Sequence, residues 1–155
     1  MLYLVDGNNV MALQRGWHKD KAAARRKLIS DLSILAADRN VKVSVVFDGA
    51  PDDKFPEGST YKRVRILYAR AGSNADTRIK NMVRRSSFKR DMTVVTSDRE
   101  IAAFSHRQGT RIMTSSQFRH MINEAKVHRA ESEPMPPEGS IDVEEWLEYF
   151  RRPDR

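Results

Sequence analysis

The chain has 155 residues, of which 28 are Lys or Arg and 21 are Asp or Glu, so its formal net charge is +7. This length indicates one domain with a substantial buried core, and the positive charge favours a nucleic acid or another anionic partner. The sequence contains no cysteine, which excludes disulfides, thiolate nucleophiles and cysteine-ligated zinc.

The apolar segments of the chain are short. The opening run, residues 1–5, is interrupted by Asp6 and is shorter than the apolar segment of a secretory signal. No apolar stretch approaches the ~20 residues that a membrane helix needs. We therefore expect a cytoplasmic protein without membrane contact.

Strands and helices alternate along the chain. Residues 2–5 and 41–47 are apolar runs typical of buried strands, and residues 21–39 between them carry leucines at helical spacing. A polar loop with Gly and Pro follows at 48–60. The later elements are a strand at 64–68, a helix at 74–85, a strand at 93–96, a helix at 98–108, a strand at 111–113 and a helix at 115–128. This alternation predicts an α/β domain with a parallel, doubly wound sheet of five strands.

The predicted domain covers residues 1–129. The next segment, 130–139, contains three prolines and is typical of an extended linker. Residues 140–152 predict a last, amphipathic helix. The apolar side chains on its buried face are Val143, Trp146, Leu147 and Phe150. This face packs either on the domain itself or on a partner or second copy of the chain, as in a homodimer.

Three acidic residues follow apolar runs, namely Asp6, Asp48 and Asp98. The carboxyl ends of parallel strands meet at one edge of a sheet, so these carboxylates are expected to converge there. Clustered carboxylates repel one another unless a cation neutralises them, and Mg²⁺ and Mn²⁺ prefer oxygen ligands. In a basic chain, this pattern suggests a divalent-metal site that faces a polyanion.

Helix capping is the alternative interpretation of these acids, because short polar residues at strand-to-helix junctions accept backbone N–H bonds. Ser97 and Glu100 have the spacing of a capping box, which favours Ser97 as the cap; if Ser97 is the cap, Asp98 is spare.

The sequence favours a functional role for some of these acidic residues more strongly than for others. Asp76 stands in Ser73-Asn74-Ala75-Asp76, which has capping-box spacing, so the structural and functional interpretations are balanced. Asp48 beside Gly49 is equally a turn former. Asp6 is the strongest candidate ligand, because a glycine and two asparagines that can orient a carboxylate follow it.

The segment 62–90 is strongly basic, and Asp76 is its single acid. Ordinary solvated helices interleave both signs of charge, so this bias favours contact with phosphates over the alternative of a merely solvated face. The predicted phosphate-binding residues, together with one beyond the segment, are Lys62, Arg63, Arg78, Lys80, Arg84, Arg85 and Arg99.

Four segments in order resemble a known family. They are 4–10 (LVDGNNV), 45–49 (VVFDG), 74–79 (NADTRI) and 94–100 (VVTSDRE). Together they are similar to the NYN group of PIN-like domains, in particular the YacP-like bacterial proteins. The resemblance runs from residue 1 to about 125 and implies a PIN-like three-layer sandwich with a parallel sheet in strand order 3-2-1-4-5.

The resemblance implies a metal-dependent ribonuclease, and some members of the family act as ribosome-associated endoribonucleases. Asp6, Asp76 and Asp98 match the acidic metal ligands of the family. Asn9 matches the asparagine that follows the first of them, and Glu100 matches a position where many members carry a further acid.

Two positions depart from the family pattern. Asn8 stands where related proteins usually have Tyr, and Lys80 stands where several have Glu. Losing an acid at residue 80 would weaken a second metal site, so the number of metal ions stays open.

The sequence and the resemblance together predict an endoribonuclease that cleaves single-stranded RNA. We expect Mg²⁺ or Mn²⁺ on Asp6, Asp76 and Asp98 to activate a water molecule. Glu100 would assist through an outer-shell water, and Asn9 would orient Asp6 or the phosphate. The alternative is a non-catalytic RNA- or ribosome-binding module with the same fold, whose RNA binding needs no metal.

Overall fold

The computed structural model describes residues 1–69 and 72–132. In this part of the chain a six-stranded sheet lies between two layers of helices. The strands are β1 (Leu2–Asp6), β2 (Lys42–Phe47), β3 (Thr60–Tyr61), β4 (Val64–Tyr68), β5 (Met92–Val95) and β6 (Arg111–Met113). The helices are α1 (Gly7–Met11), α2 (Lys21–Arg39), α3 (Ala75–Arg85), α4 (Arg99–Arg107) and α5 (Ser115–Ser132).

The sheet order is β3-β4-β2-β1-β5-β6, and every neighbouring pair is parallel except β3 with β4. The α/β fold class and the PIN-like sandwich are confirmed, and the five parallel strands follow the expected order. The expectation of five strands was wrong in one detail, because β3 adds a short antiparallel edge strand. Two residues are too few to show the alternation by which a strand is recognised in a sequence.

Alternate residues of the central strands point to opposite faces of the sheet, and both faces are buried. Val5 and Phe47 belong to a core beneath α1, α2 and α5, whereas Leu4 and Val46 belong to a core beneath α3 and α4. This period of two, with apolar residues at both phases, explains why the strands appear as continuous apolar runs in the sequence.

The helix boundaries differ from the predicted ones in two places. The short helix α1 directly after β1 was not predicted, and α5 continues to Ser132, three residues into the predicted linker. The rest of that linker and the predicted helix at 140–152 lie outside the described residues. Among the helices that the structure describes, none is long and apolar enough to cross a membrane.

Candidate functional site

An acidic cleft of about 360 Å³ lies at the carboxyl edge of the parallel sheet. Asp6 ends β1, Asp48 follows β2, and Asp98 follows the end of β5. Asp76 enters from the first turn of α3, the helix that follows β4. The residues that line the cleft are Asp6, Asn8, Asn9, Ala12, Asp48, Asn74, Ala75, Asp76 and Asp98. The convergence expected from strand ends is therefore present.

Asp98 caps α4, and the prediction that Ser97 does so was wrong. The Asp98 Oδ1 atom accepts hydrogen bonds from the backbone N–H groups of Glu100 (2.8 Å) and Ile101 (3.1 Å). The Ser97 hydroxyl instead accepts from the backbone N–H of Ser115 at 3.2 Å. Both cap bonds end on Oδ1 of Asp98, so capping and cation binding can use different oxygens of one carboxylate.

Asp76 is not a cap, because Asn74 fills that role for α3. The Asn74 Oδ1 atom accepts from the backbone N–H of Thr77 at 2.9 Å. Asp48 also contacts this helix end, since its Oδ1 atom accepts from the backbone N–H of Ala75 at 2.7 Å. Asp48, which the sequence left equally as a turn former, thus lies in the same cleft as Asp6.

Asn9 does not orient Asp6 through its side chain. Its Oδ1 atom accepts from the Ser97 backbone N–H (2.7 Å) and from the Ser115 hydroxyl (2.8 Å). The backbone N–H of Asn9, rather than its side-chain amide, donates a hydrogen bond to Asp6. The Asn9 side chain therefore fixes the turn that leads into Asp98.

Two further residues organise the cleft, and one of them, Thr96, was missed as a site residue. The Thr96 hydroxyl donates to Oδ2 of Asp6 (3.2 Å) and accepts from the backbone N–H of Asp98 (3.1 Å). The Asn8 Oδ1 atom accepts from the backbone N–H of Asp48 at 3.0 Å. A threonine ending an apolar strand and an asparagine after an Asp-Gly pair were the available sequence signals.

Gly7 allows the strand end to pack closely beside the cleft. A β-carbon at this position would lie 2.6 Å from a ring carbon of Phe47 and 2.9 Å from a methyl group of Val45. The Phe47 ring therefore leaves no room for a side chain at residue 7.

The environment of the cleft shifts the pKa values of two of its carboxyl groups. Burial, together with repulsion from Asp48 and Asp76, raises the pKa of Asp6 to about 6, although hydrogen bonds from Thr96 and Asn9 act in the opposite direction. Burial also raises the pKa of Asp76, and the charge of Asp98 adds to this effect. Such shifts indicate carboxylates that gain from a cation.

Lys80 and Glu100 stand beside the cleft as an ion pair. The Lys80 Nζ atom lies 2.6 Å from Oε1 of Glu100 and 4.0 Å from Oδ2 of Asp76. The bond with Glu100 raises the pKa of Lys80. Glu100 is largely exposed, with 76% of its side chain accessible, and it does not line the cleft.

The predicted phosphate-binding residues do not form one surface. Arg99 is exposed directly beside Asp98. Arg78, in contrast, donates to both carboxylate oxygens of Glu57, at 2.8 and 2.9 Å, and to the backbone carbonyl of Tyr68. This bidentate pair gives Arg78 a structural contact that accounts for its position.

The remaining basic residues lie away from the cleft. Arg84 and Arg85 occupy the last turn of α3, and Arg84 contacts the ring of Phe104. Lys62 and Arg63 form the turn between β3 and β4, at the amino end of β4 and thus at the opposite edge of the sheet. Of the predicted phosphate-binding residues, Lys80 and Arg99 therefore lie beside the acidic cleft.

The donors present suit Mg²⁺ or Mn²⁺ in chemistry, since several carboxylates line one cleft and two of them have raised pKa values. As the side chains stand, the described residues contain no group of three or more His, Cys, Asp or Glu residues that could hold an ion. Binding would therefore require rotation of carboxylate side chains towards a common point.

The strand order of the parallel sheet and the acidic cleft at its carboxyl edge define a PIN-like α/β domain. The sequence matches the YacP-like NYN domain over residues 3–144, and the chain belongs to that family. This match continues beyond residue 125, where the resemblance was expected to end.

Two similar solved structures are of Rae1 (YacP) from Bacillus subtilis. One is 24% identical, covers 98% of this chain and 93% of that chain, and has a TM-score of 0.67. The other, of the W164L mutant, is 20% identical, covers 84% and 79% respectively, and has a TM-score of 0.70. These likenesses show a shared fold. No match was found among curated proteins.

Proposed function

We propose that this protein is a metal-dependent endoribonuclease that cuts single-stranded RNA at the acidic cleft. The observation that carries the proposal is the gathering of Asp6, Asp48, Asp76 and Asp98 at one sheet edge, with the pKa of Asp6 raised to about 6. Membership of the NYN family, whose domains are nuclease-like, supports the same class of reaction.

Asp6, Asp76 and Asp98 would hold Mg²⁺ or Mn²⁺. Such an ion, when bound, lowers the pKa of a water molecule and stabilises the charge on a phosphodiester undergoing attack. The chain contributes orientation: Thr96 links Asp6 to the turn before α4, and Asn9 fixes the same turn from the other side. The amino ends of α3 and α4 also favour negative charge near the cleft.

RNA is the partner that fits the charge of the molecule. The chain has a formal charge of +7, although its cleft is acidic, so cations outside the cleft must hold a polyanion near it. Arg99 is exposed next to Asp98 and is the cation best placed to do so. We propose that RNA runs across the start of α4, presented there by a ribosome or by another assembly.

The decisive experiment is cleavage of end-labelled single-stranded RNA by the wild type, Asp6→Asn and Asp98→Asn in Mn²⁺, Mg²⁺ or EDTA. Asn caps a helix as well as Asp does, so Asp98→Asn should retain α4. Asp91→Asn is the matched control, because Asp91 is exposed just before β5 at the opposite edge of the sheet.

We expect internal cuts that need the metal, that are lost in both cleft variants and that Asp91→Asn retains. RNA affinity should stay the same or increase in the cleft variants, because they remove negative charge beside a polyanion. A parallel loss of affinity and cleavage would contradict the mechanism. Salt-sensitive binding without cleavage, on naked RNA and on ribosome-bound RNA alike, would favour the non-catalytic module.

A further inference from the structure

One lysine beside the cleft contacts two acidic residues. Lys80 projects from α3 one turn after Asp76, and its Nζ atom lies 4.0 Å from Oδ2 of Asp76. The same atom lies 2.6 Å from Oε1 of Glu100, in the first turn of α4. Lys80 thus connects the two helices whose amino ends border the cleft.

The position of the Lys80 ammonium group is defined by its surroundings. Only 21% of the side chain is exposed, and Nζ lies 5.9 Å from the centre of the Phe104 ring on α4. The contact with Asp76 spans four residues of one helix, a spacing that brings side chains together. A partly buried cation with three neighbours is less mobile than a lysine that reaches into solvent.

This cation occupies the space where an ion shared by Asp76 and Glu100 would bind. A divalent ion placed between these two carboxylates would meet a positive charge at close range, and that repulsion rises as the separation falls. Asp6 has no cationic side chain bonded to it in the described part of the chain. Lys80 therefore offsets the negative charge of Asp76 and Glu100, whereas no cation among the described residues offsets that of Asp6.

We infer that Lys80 takes the place of a second divalent cation, so that the cleft binds one Mg²⁺ or Mn²⁺, the ion proposed on Asp6, Asp76 and Asp98. This inference rests on the proposed metal-dependent function and specifies its stoichiometry. The rival interpretation is an ordinary surface ion pair between Lys80 and Glu100, which would have no effect on metal binding.

The test is a calorimetric titration of the full chain with Mn²⁺, and the bound ions are counted independently from the electron paramagnetic resonance signal of free Mn²⁺. The variants are Lys80→Glu, which replaces the cation with a ligand, and Lys80→Gln, which only removes the charge. Lys89→Glu is the charge-matched control, because Lys89 lies in the short 3-10 turn before β5 and bonds to Gln108. Circular dichroism verifies that each variant folds.

We expect one Mn²⁺ per chain for the wild type and Lys89→Glu, and two for Lys80→Glu. Lys80→Gln should bind a second ion at least about tenfold more tightly than the wild type does, a change of 1.4 kcal/mol. This variant keeps the inference testable if Lys80→Glu does not fold.

Three results would overturn the inference, and they differ in what they mean for the proposed function. Two ions in the wild type would overturn the role of Lys80 while leaving a metal-dependent nuclease intact. A single ion in every variant would identify the Lys80–Glu100 contact as a surface pair. No bound ion in the wild type would overturn both proposals, whereas one bound ion without RNA cleavage would leave the inference standing and overturn the function.

Discussion

At the residue scale, burial makes ionisation of the Asp6 carboxyl group costly. Its pKa is 3.8 in an ordinary environment and about 6 in the fold, chiefly because the residue is buried. Between these values the folded state keeps a proton that the unfolded state has lost. Stability therefore falls as pH rises through this window, and above pH 6 the full cost is about 3 kcal/mol.

We predict that Asp6→Asn stabilises the metal-free protein at pH 7.5 by up to about 3 kcal/mol. The gain should shrink as pH falls towards 4, because the wild-type carboxyl group is then protonated as well. Urea unfolding in EDTA at both pH values measures the difference, with Asp91→Asn as the exposed control. An equal gain at both pH values would show that ionisation of Asp6 is not its cause.

The sequence predicted which acids converge, but it could not assign their individual contacts. Strand-end positions were enough to bring Asp6, Asp48 and Asp98 to one edge. The choice of cap for α4 could not be made from spacing, because Ser97 and Asp98 are adjacent and both residue types cap helices. Only the backbone direction decides that Asp98 meets the helix amides.

At the element scale, most elements were predictable from the sequence, and the two that were missed, α1 and β3, are short. The 19 residues of α2 and the five of β4 lie where hydrophobic periodicity placed them. The five-residue helix α1 and the two-residue strand β3 are too short to display a period, and tertiary pairing defines them instead. The order of the parallel strands came from the family resemblance.

Helices α2 and α5 share a buried charge cluster that no hydrophobic pattern predicts. Asp31 of α2 is fully buried, and its carboxylate lies 3.0 Å from Arg119 and 3.3 Å from Lys126 of α5. Removing one partner of such a cluster leaves charge buried without compensation. The same two helices also carry an exposed pair, Arg39 with Glu124 at 2.8 Å.

We predict that Asp31→Asn destabilises the fold by about 3–5 kcal/mol, because two cations lose their buried anion. The matched substitution Glu124→Gln breaks the exposed pair between the same helices and should cost at most about 1 kcal/mol. Urea unfolding at neutral pH measures both. Similar losses for the two variants would mean that water reaches Asp31 and that burial does not set its contribution.

At the scale of the whole molecule, the chain separates residues that are close in sequence. Arg63 and Asp76 are 13 positions apart, but β4 lies between them and carries the chain about 16 Å from one sheet edge to the other. Helix α3 then leads back, so Arg84 lies about 12 Å along the axis from Asp76. The basic segment 62–90 therefore looks continuous in sequence and is divided in space.

This division predicts different roles for Arg99 and Arg63. Arg99 is exposed beside Asp98 at the cleft, whereas Arg63 is exposed at the opposite edge and donates to Asn40 at 2.7 Å. If RNA crosses the cleft, Arg99→Ala should weaken binding of a short single strand and lower the slope of log affinity against log salt by about 0.7, the value for one phosphate contact.

Arg63→Ala should leave both the affinity and the slope unchanged for an oligonucleotide too short to reach the far edge. Fluorescence anisotropy over a series of salt concentrations measures both quantities, and EDTA prevents cleavage during the titration. Equal effects of the two substitutions would mean that the strand follows another path. A larger effect of Arg63→Ala would place the main RNA contact at the amino edge of the sheet, and the acidic cleft would then need a different substrate.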